Sequence, residues 1–408
     1  MSRYVLLPVA LAGAVGLAAA CSATNGGNTF DDSGSGGSAP GGGGSGTTSD
    51  GAGGFNPSTG AGSTTGEVSC TAEPDEDFDQ DGYSINQGDC NDCDENVNPG
   101  AIEVVVTEPD ADGNVPEPAD EDCDEVVDNP PVTCDDNLAL EDPDPLHGAF
   151  AVELCKQATA GGKDHGLLSA QYVRADGSAA AASQQLGILE GFGPNVHPRR
   201  GARVLALSSG RARIEGQPGA CNALTCTGSG MGSAPPGFPQ DVPGCAGATA
   251  INDDIALEVR LRAPTNATGY KFNFKFYTFE YPEWVCTAFN DQFISLVSPP
   301  PMGSINGNVS FDSQLKPVSV NVAYFDVCVG CPLGPAELEG TGFGTWNDAG
   351  GTGWLVTQAP VGGGEEISIR WAIWDTGDTA WDSTALVDGF EWIANGGTVP
   401  VETEPAPE

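Results

Sequence analysis

Asp77, Asp79 and Asp81 stand at alternate positions in the run Asp77-Phe78-Asp79-Gln80-Asp81-Gly82-Tyr83. That spacing brings three carboxylates round one loop. Gly82 permits a sharp turn, and the Tyr83 main chain can add a carbonyl oxygen. An all-oxygen donor set of this kind suits a hard cation such as calcium. More carboxylates follow closely at Asp89, Asp92 and Asp94. The bidentate Glu that closes a helix-loop-helix calcium site is missing, since Gly88 holds its place with Asp89 next. The stretch reads as a metal-binding loop module without flanking helices.

Charge makes the same demand. The chain has 57 acidic residues against 15 basic ones, a formal net charge of -42, and no Lys or Arg between Arg3 and Lys156. Like charges at that density favour an expanded chain unless something of opposite sign is supplied. Calcium ions as the missing core and missing charge, with disulfides as staples, are the expected answer. Two alternatives stay open. The segment could be an acidic disordered spacer, or Cys90 and Cys93 could form half of a zinc site. Zinc would need two further Cys or His nearby, and no His precedes His147. Binding to nucleic-acid phosphates is excluded by the charge.

The fuller pattern is Asp77, Asp79, Asp81, Gly82 and Tyr83; Asp89, Cys90, Asp92 and Asp94; Asn98, Pro99, Gly100, Ala101 and Glu103; Asp120, Asp122, Cys123 and Asp124. It resembles the acidic, Cys-containing metal-binding motif named after the bacterial surface protein MopE. Two differences are a longer gap between Glu103 and Asp120 and the extra Cys93. The resemblance implies calcium held by Asp77, Asp79, Asp81, Tyr83, Asp89, Asp92, Asp94, Glu103, Asp120, Asp122 and Asp124.

Around this module the chain divides by composition. Residues 1–20 carry Arg3, an apolar run and small residues, the form of a secretory signal with a core short for a membrane span. Leu17-Ala18-Ala19-Ala20-Cys21 resembles a bacterial lipobox, with Ala18 where Leu is usual, and implies lipidation at Cys21. Ser22 then points to the outer membrane. Thirteen Cys fit an oxidising compartment, and setting Cys21 aside leaves an even number for pairing, with Cys134–Cys155 a local candidate. Residues 21–66 are rich in Gly, Ser and Thr and read as a flexible tether reaching ~35–40 Å. The acidic module spans 67–129, a larger domain 132–397, and a tail expected to be disordered 398–408.

The larger domain alternates with period two. Ile255, Leu257, Val259 and Leu261 share one face of INDDIALEVRLRAP, while Glu258, Arg260 and Arg262 share the other. The pattern recurs at Phe272, Phe274 and Phe276, at Val318, Val320 and Val322, and at Ile367, Ile369, Trp371 and Ile373. Short strands broken by Gly, Pro, Asn and Asp predict a mostly β protein, an antiparallel β-sandwich or jelly roll.

ATGYKFNFKFYTFEYPEWVCTAFNDQFISLVS and ISIRWAIWDTGDTAWDSTALVDGFEW resemble the choice-of-anchor L domain, and GFGPNVHPRRGARVLALSSG and GCPLGPAELEGTGF look like its myxobacterial lipoprotein variety. That family offers no catalytic residues to carry over. Glu280, Asp291, Asp375, Asp378, Asp382 and Asp388 fall at or beyond strand ends and could hold a second cation, or cap turns. Trp284 is the tryptophan most expected to be exposed. No nucleophile elbow, HExxH or phosphate loop is present. The expected function is a non-catalytic, calcium-stabilised binding or adhesion module, lipid-anchored at the cell surface, with a glycan, protein or matrix polymer as ligand. The alternatives are a structural envelope component and a secreted hydrolase using paired carboxylates.

Overall fold

A computed structural model describes residues 73–105, 117–181, 183–226, 228–346, 349–394 and 397–407. These fall in one compact unit, Thr59–Glu408. The signal segment 1–20, Cys21 and the tether to residue 66 lie outside the described residues.

In chain order the main elements begin with α1 (Pro145–Phe150), β1 (Gly166–Val173), β2 (Leu186–Leu189) and β3 (Val204–Ser208). β4 (Ile251–Arg262), β5 (Gly269–Thr278), β6 (Gln292–Ser298), β7 (Val318–Ser319) and β8 (Phe325–Val327) follow. The last are β9 (Gly350–Thr352), β10 (Leu355–Pro360), β11 (Glu366–Thr376), β12 (Ser383–Ile393) and β13 (Glu402–Pro405). One antiparallel sheet runs β1-β4-β11-β6-β7. The other runs β13-β10-β5-β12-β3-β2, with β9 bridging β5 and β8.

The alternation read from sequence sets the core. Leu257, Val259, Phe272, Phe274, Phe276, Ile369 and Trp371 are fully buried in one cluster drawn from both sheets. Phe272 meets Trp371 across the sheets at 5.5 Å between ring centroids, and Phe274 meets Phe293 at 5.2 Å. Each such ring contributes about 1.5–3 kcal/mol by leaving water. The domain is a β-sandwich.

Two local expectations change. Arg262 is not on a solvent face: it is buried, and its Nη2 lies 2.8 Å from the Glu366 carboxylate. The tail expected to be disordered contains β13, which extends the second sheet beside β10. Period two explains it, because Thr403 turns inward to Thr357 Oγ1 at 2.7 Å while Glu402 and Glu404 stay exposed. Helix is scarce, α1 having six residues, and among the described residues none is long and apolar enough to cross a membrane.

The acidic module is docked on the sandwich. The loop after β4 receives it: Thr265 N donates to Gly100 O (3.1 Å), and Thr265 Oγ1 donates to Asn98 Oδ1 (2.7 Å). Asn266 closes a two-bond clamp on Ile102, accepting from its N–H (3.1 Å) and donating to its carbonyl (2.8 Å). The basic residues missing locally are partly supplied in space. Lys163 Nζ donates to Gly82 O and sits 4.8 Å over the Tyr83 ring, and Lys156 acts electrostatically on Asp122.

Candidate metal centre

Asp77, Asp79, Asp81, Asp89 and Asp92 converge. Carboxylate oxygens of Asp77, Asp79 and Asp81 lie within 4.8 Å of one another, as do those of Asp79, Asp89 and Asp92. Asp79 belongs to both groups. The backbone holds the five in place by one repeated device. Asp77 accepts from Gly82 N (3.0 Å), Asp79 from Asp81 N (3.2 Å) and Asp81 from Tyr83 N (2.7 Å). Asp89 accepts from Asn91 N (2.8 Å) and Asp92 from Phe78 N (2.8 Å). Each carboxylate thus spends one oxygen on a backbone N–H, four of them within a local turn or loop and Asp92 across the module on Phe78. The other oxygens of Asp77, Asp79, Asp81 and Asp89 are buried and meet no donor. Gly82 makes the loop possible at φ +100°, a conformation that L side chains rarely adopt.

Such oxygens are costly unless a cation or proton meets them. Burial raises the Asp79 and Asp89 carboxyls, helped by their acidic neighbours, and pushes Asp81 up to about 6. The donors are all oxygen, hard and partly enclosed, and they fit a cation of the calcium class. Cys90 and Cys93 do not fit zinc. Cys90 is joined to Cys123 and Cys93 is also disulfide-bonded, so neither is a thiolate.

The rest of the expected ligand set divides. Glu103 is grouped with Asp120 and Asp122, whose oxygens lie within 4.8 Å of one another. Glu103 also accepts from Asp122 N (3.3 Å) and Asp128 N (2.5 Å). Asp128, which pattern reading passed over, adds a buried oxygen without a donor, as Asp122 does. The Cys90–Cys123 bridge ties the two acidic groups together, being next to Asp89 and Asp122. Asp94 is exposed and caps a turn through Asn96 N (3.2 Å). Asp124 bonds Val126 N (2.8 Å) and Asn129 Nδ2 (2.5 Å). Tyr83 sends its ring beneath Lys163.

In the sandwich, Glu280, Asp291, Asp375 and Asp382 gather at one edge, all buried. Asp291 N donates to Glu280 Oε2 (3.2 Å), and Asp375 and Asp291 influence each other directly. Burial, followed by the neighbouring carboxylate Asp291, raises Glu280 to about 10 and Asp375 well above its usual range. Asp382 lies near the Cys221 and Cys226 sulfurs, but those form a disulfide and cannot ligate as thiolates. Asp378 is exposed at the rim, where its Oδ1 caps Ala380 N (3.0 Å). Asp388 leaves the set: it accepts from the Arg199 and Arg200 N–H groups and faces Glu153. There the turn-capping alternative holds.

Asp388 and Glu153 yield a pH prediction. Burial raises each to about 7, while the three backbone N–H groups on Asp388, from Arg199, Arg200 and Gly389, act against it and Asp135 adds to the effect on Glu153. A raised acid destabilises the fold only when ionised, so the penalty grows from the unfolded pKa near 4 and is complete above 7. In EDTA, taking pH from 8 to 5 should therefore increase unfolding free energy, with about 3 kcal/mol of the gain from this pair after allowance for the partly exposed Glu153. Urea unfolding at both pH values tests this. Glu153→Gln should gain stability over the native chain at pH 8 and little at pH 5.

Among the described residues five disulfides are formed: Cys90–Cys123, Cys134–Cys155, Cys221–Cys226, Cys245–Cys286 and Cys328–Cys331. The local Cys134–Cys155 pairing was the one legible in sequence. Trp284 is not the exposed tryptophan, for it packs edge-on against Phe289 and Trp381. Trp346 is, at 40% exposure, on the rim of a shallow groove of about 440 Å³ with Glu215, Glu339 and Thr345.

No family model, curated protein or solved structure matches the chain.

Proposed function

We propose that the chain is a non-catalytic, cation-stabilised binding protein that takes a glycan in the Trp346 groove. The observation that carries this reading is the exposed indole beside a shallow acidic trough. An aromatic face stacks on the apolar face of a sugar ring, and carboxylates accept its hydroxyls. Glu215 is held for this by Thr345 Oγ1 (2.9 Å), and Glu339 lies on the same wall. The acidic module supplies rigidity. Its calcium replaces the positive charge that the segment lacks, and its docking on the loop after β4 passes that rigidity to the sandwich. The signal-like segment 1–20, the lipobox-like run ending at Cys21 and the Gly/Ser-rich tether support a lipid-anchored position on the outer membrane, facing outward. Resemblance to the MopE-type motif and to choice-of-anchor L domains agrees with a surface role.

A soluble Cys21→Ser chain offered to immobilised polysaccharides with calcium tests the binding claim. Trp346→Ala should weaken retention about tenfold, which is ~1.4 kcal/mol. If a folded chain retains no polysaccharide, or the variant binds equally well, the structural envelope role replaces this reading.

A further inference from the structure

Arg203 directly precedes β3 and faces Glu190, the residue that follows β2, because Leu189 pairs with Val204. The two side chains meet at 2.9 Å but are unequally placed. Glu190 is 83% exposed, whereas the Arg203 side chain is 14% exposed and its Nε is buried without an acceptor. Beyond Glu190, its guanidinium bonds the carbonyl of its own neighbour Ala202 (3.4 Å). Arg213 nearby shows the contrast. It too is buried and meets an exposed acid, Glu141, but its Nη1 also holds Leu186 O and Ala212 O, each at 2.7 Å. Arg213 fastens main chain, while Arg203 fastens a side chain that solvent surrounds. An ion pair to so exposed a partner is worth little, and desolvating a guanidinium for it is costly.

Arg203 lines a cavity of about 420 Å³. That volume falls within the ~300–1,000 Å³ of small-molecule sites. Leu138, Leu140, Ile188 and Ile214 form aliphatic walls, and His197 and Gln217 add polar groups. The chain turns back between Gly191 and Val196, closed by Phe192 N donating to Val196 O (2.9 Å), and so brings His197 and Arg203 to one cavity. A Cβ on Gly191 would meet Val196 O at 2.7 Å, so this turn needs glycine. Asp135 fixes the Arg203 main chain by accepting from its N–H (2.6 Å). Five of the 15 basic residues fall in 199–213, a stretch without a single acid, so positive charge is concentrated here in a chain of net charge -42. Acids farther off than about 8 Å are largely screened at physiological salt.

We propose that this cavity binds a small organic carboxylate with an apolar body. The carboxylate would displace Glu190 from the Arg203 guanidinium, and the body would lie against the Leu and Ile walls. Glu190 is a tethered stand-in for that ligand, a carboxylate already seated on the guanidinium. The cavity shares no lining residue with the Trp346 groove, and the proposal does not depend on glycan binding there.

Calorimetric titration of the soluble Cys21→Ser full chain with phenylacetate tests this, with phenylacetamide as the uncharged isostere. Phenylacetate should bind about tenfold more tightly than the amide. Glu190→Gln, a change at an exposed residue, should tighten phenylacetate severalfold by removing the competing carboxylate. Arg203→Gln should weaken it by about tenfold or more, and Arg203→Lys should also weaken it, since lysine keeps the charge but loses the fork. Equal binding of acid and amide, or no heat with phenylacetate even in Glu190→Gln, overturns the proposal and leaves Arg203 and Glu190 as a cross-strand ion pair. Glu190→Gln decides the matter alone if Arg203→Gln does not fold. Weaker binding in Glu190→Gln also overturns the proposal, because Glu190 would then support the ligand rather than occupy its place.

Discussion

Asp79→Asn combined with Asp89→Asn should remove calcium protection of residues 73–105 while leaving the sandwich folded. Asp79 belongs to both oxygen groups, and Asp89 contributes a buried oxygen that meets no donor. Loop sites of extracellular proteins bind calcium at about 10⁻⁴–10⁻³ M. At the tighter end, 10 mM calcium would stabilise the module by about 2.7 kcal/mol. Limited proteolysis with calcium and with EDTA reads this directly, and calorimetry should give heat with the native chain that the double variant loses. The pH dependence has a definite sign. Since burial raises Asp79, Asp81 and Asp89, with Asp81 near 6, protons compete with calcium and its affinity should fall below pH 6. In EDTA the same acids should make the module more stable on acidification. Equal cleavage with and without calcium, and no heat, would end the metal reading of this segment.

What could be read in advance followed from local spacing. Alternation at Ile255, Leu257, Val259 and Leu261 and at Phe272, Phe274 and Phe276 identified strands and their inward faces, because a half-buried sheet imposes period two. The Asp77–Asp81 triplet was legible for a similar reason, its geometry being set by one turn. The ligand set as a whole was not. Glu103 joins Asp120 and Asp122 through pairing that the Cys90–Cys123 bridge enforces, and no local pattern separates it from the first group. Nor does any local pattern reveal Lys163 reaching Gly82 O from outside the acidic segment, or Thr265 and Asn266 gripping residues 98–102. The tail was misjudged because its Pro and Glu composition outweighed a short alternating pattern at Glu402, Thr403 and Glu404. Lys275 was equally hidden. It reads as the polar side of a strand, yet it is fully buried against Glu337.

Asn98→Ala should uncouple the acidic module from the sandwich and split a single unfolding transition into two. Asn98 is fully buried, and its Oδ1 accepts from both Gly100 N (2.9 Å) and Thr265 Oγ1 (2.7 Å). Its Nδ2 donates to Glu95 O (3.3 Å), and its side chain also steadies Asp81. Truncation leaves a buried N–H and a hydroxyl without an acceptor, at about 1–3 kcal/mol each, so a loss of roughly 3 kcal/mol is expected. That loss falls on the module and its seat, because the Trp371 and Phe272 core is untouched. Calorimetry should show a new low-temperature transition, and protease should remove the module even in calcium while the sandwich survives. Asn98→Asp separates the hydrogen-bond role from the electrostatic one. It keeps an acceptor for Gly100 N and Thr265 Oγ1 but adds a negative charge beside Asp81. With calcium bound, that charge is opposed and the variant should approach the native chain. In EDTA it joins five unneutralised carboxylates, and the variant should fall to the level of Asn98→Ala. A single transition retained by Asn98→Ala, at native temperature, would mean that the module is held by contacts other than this residue.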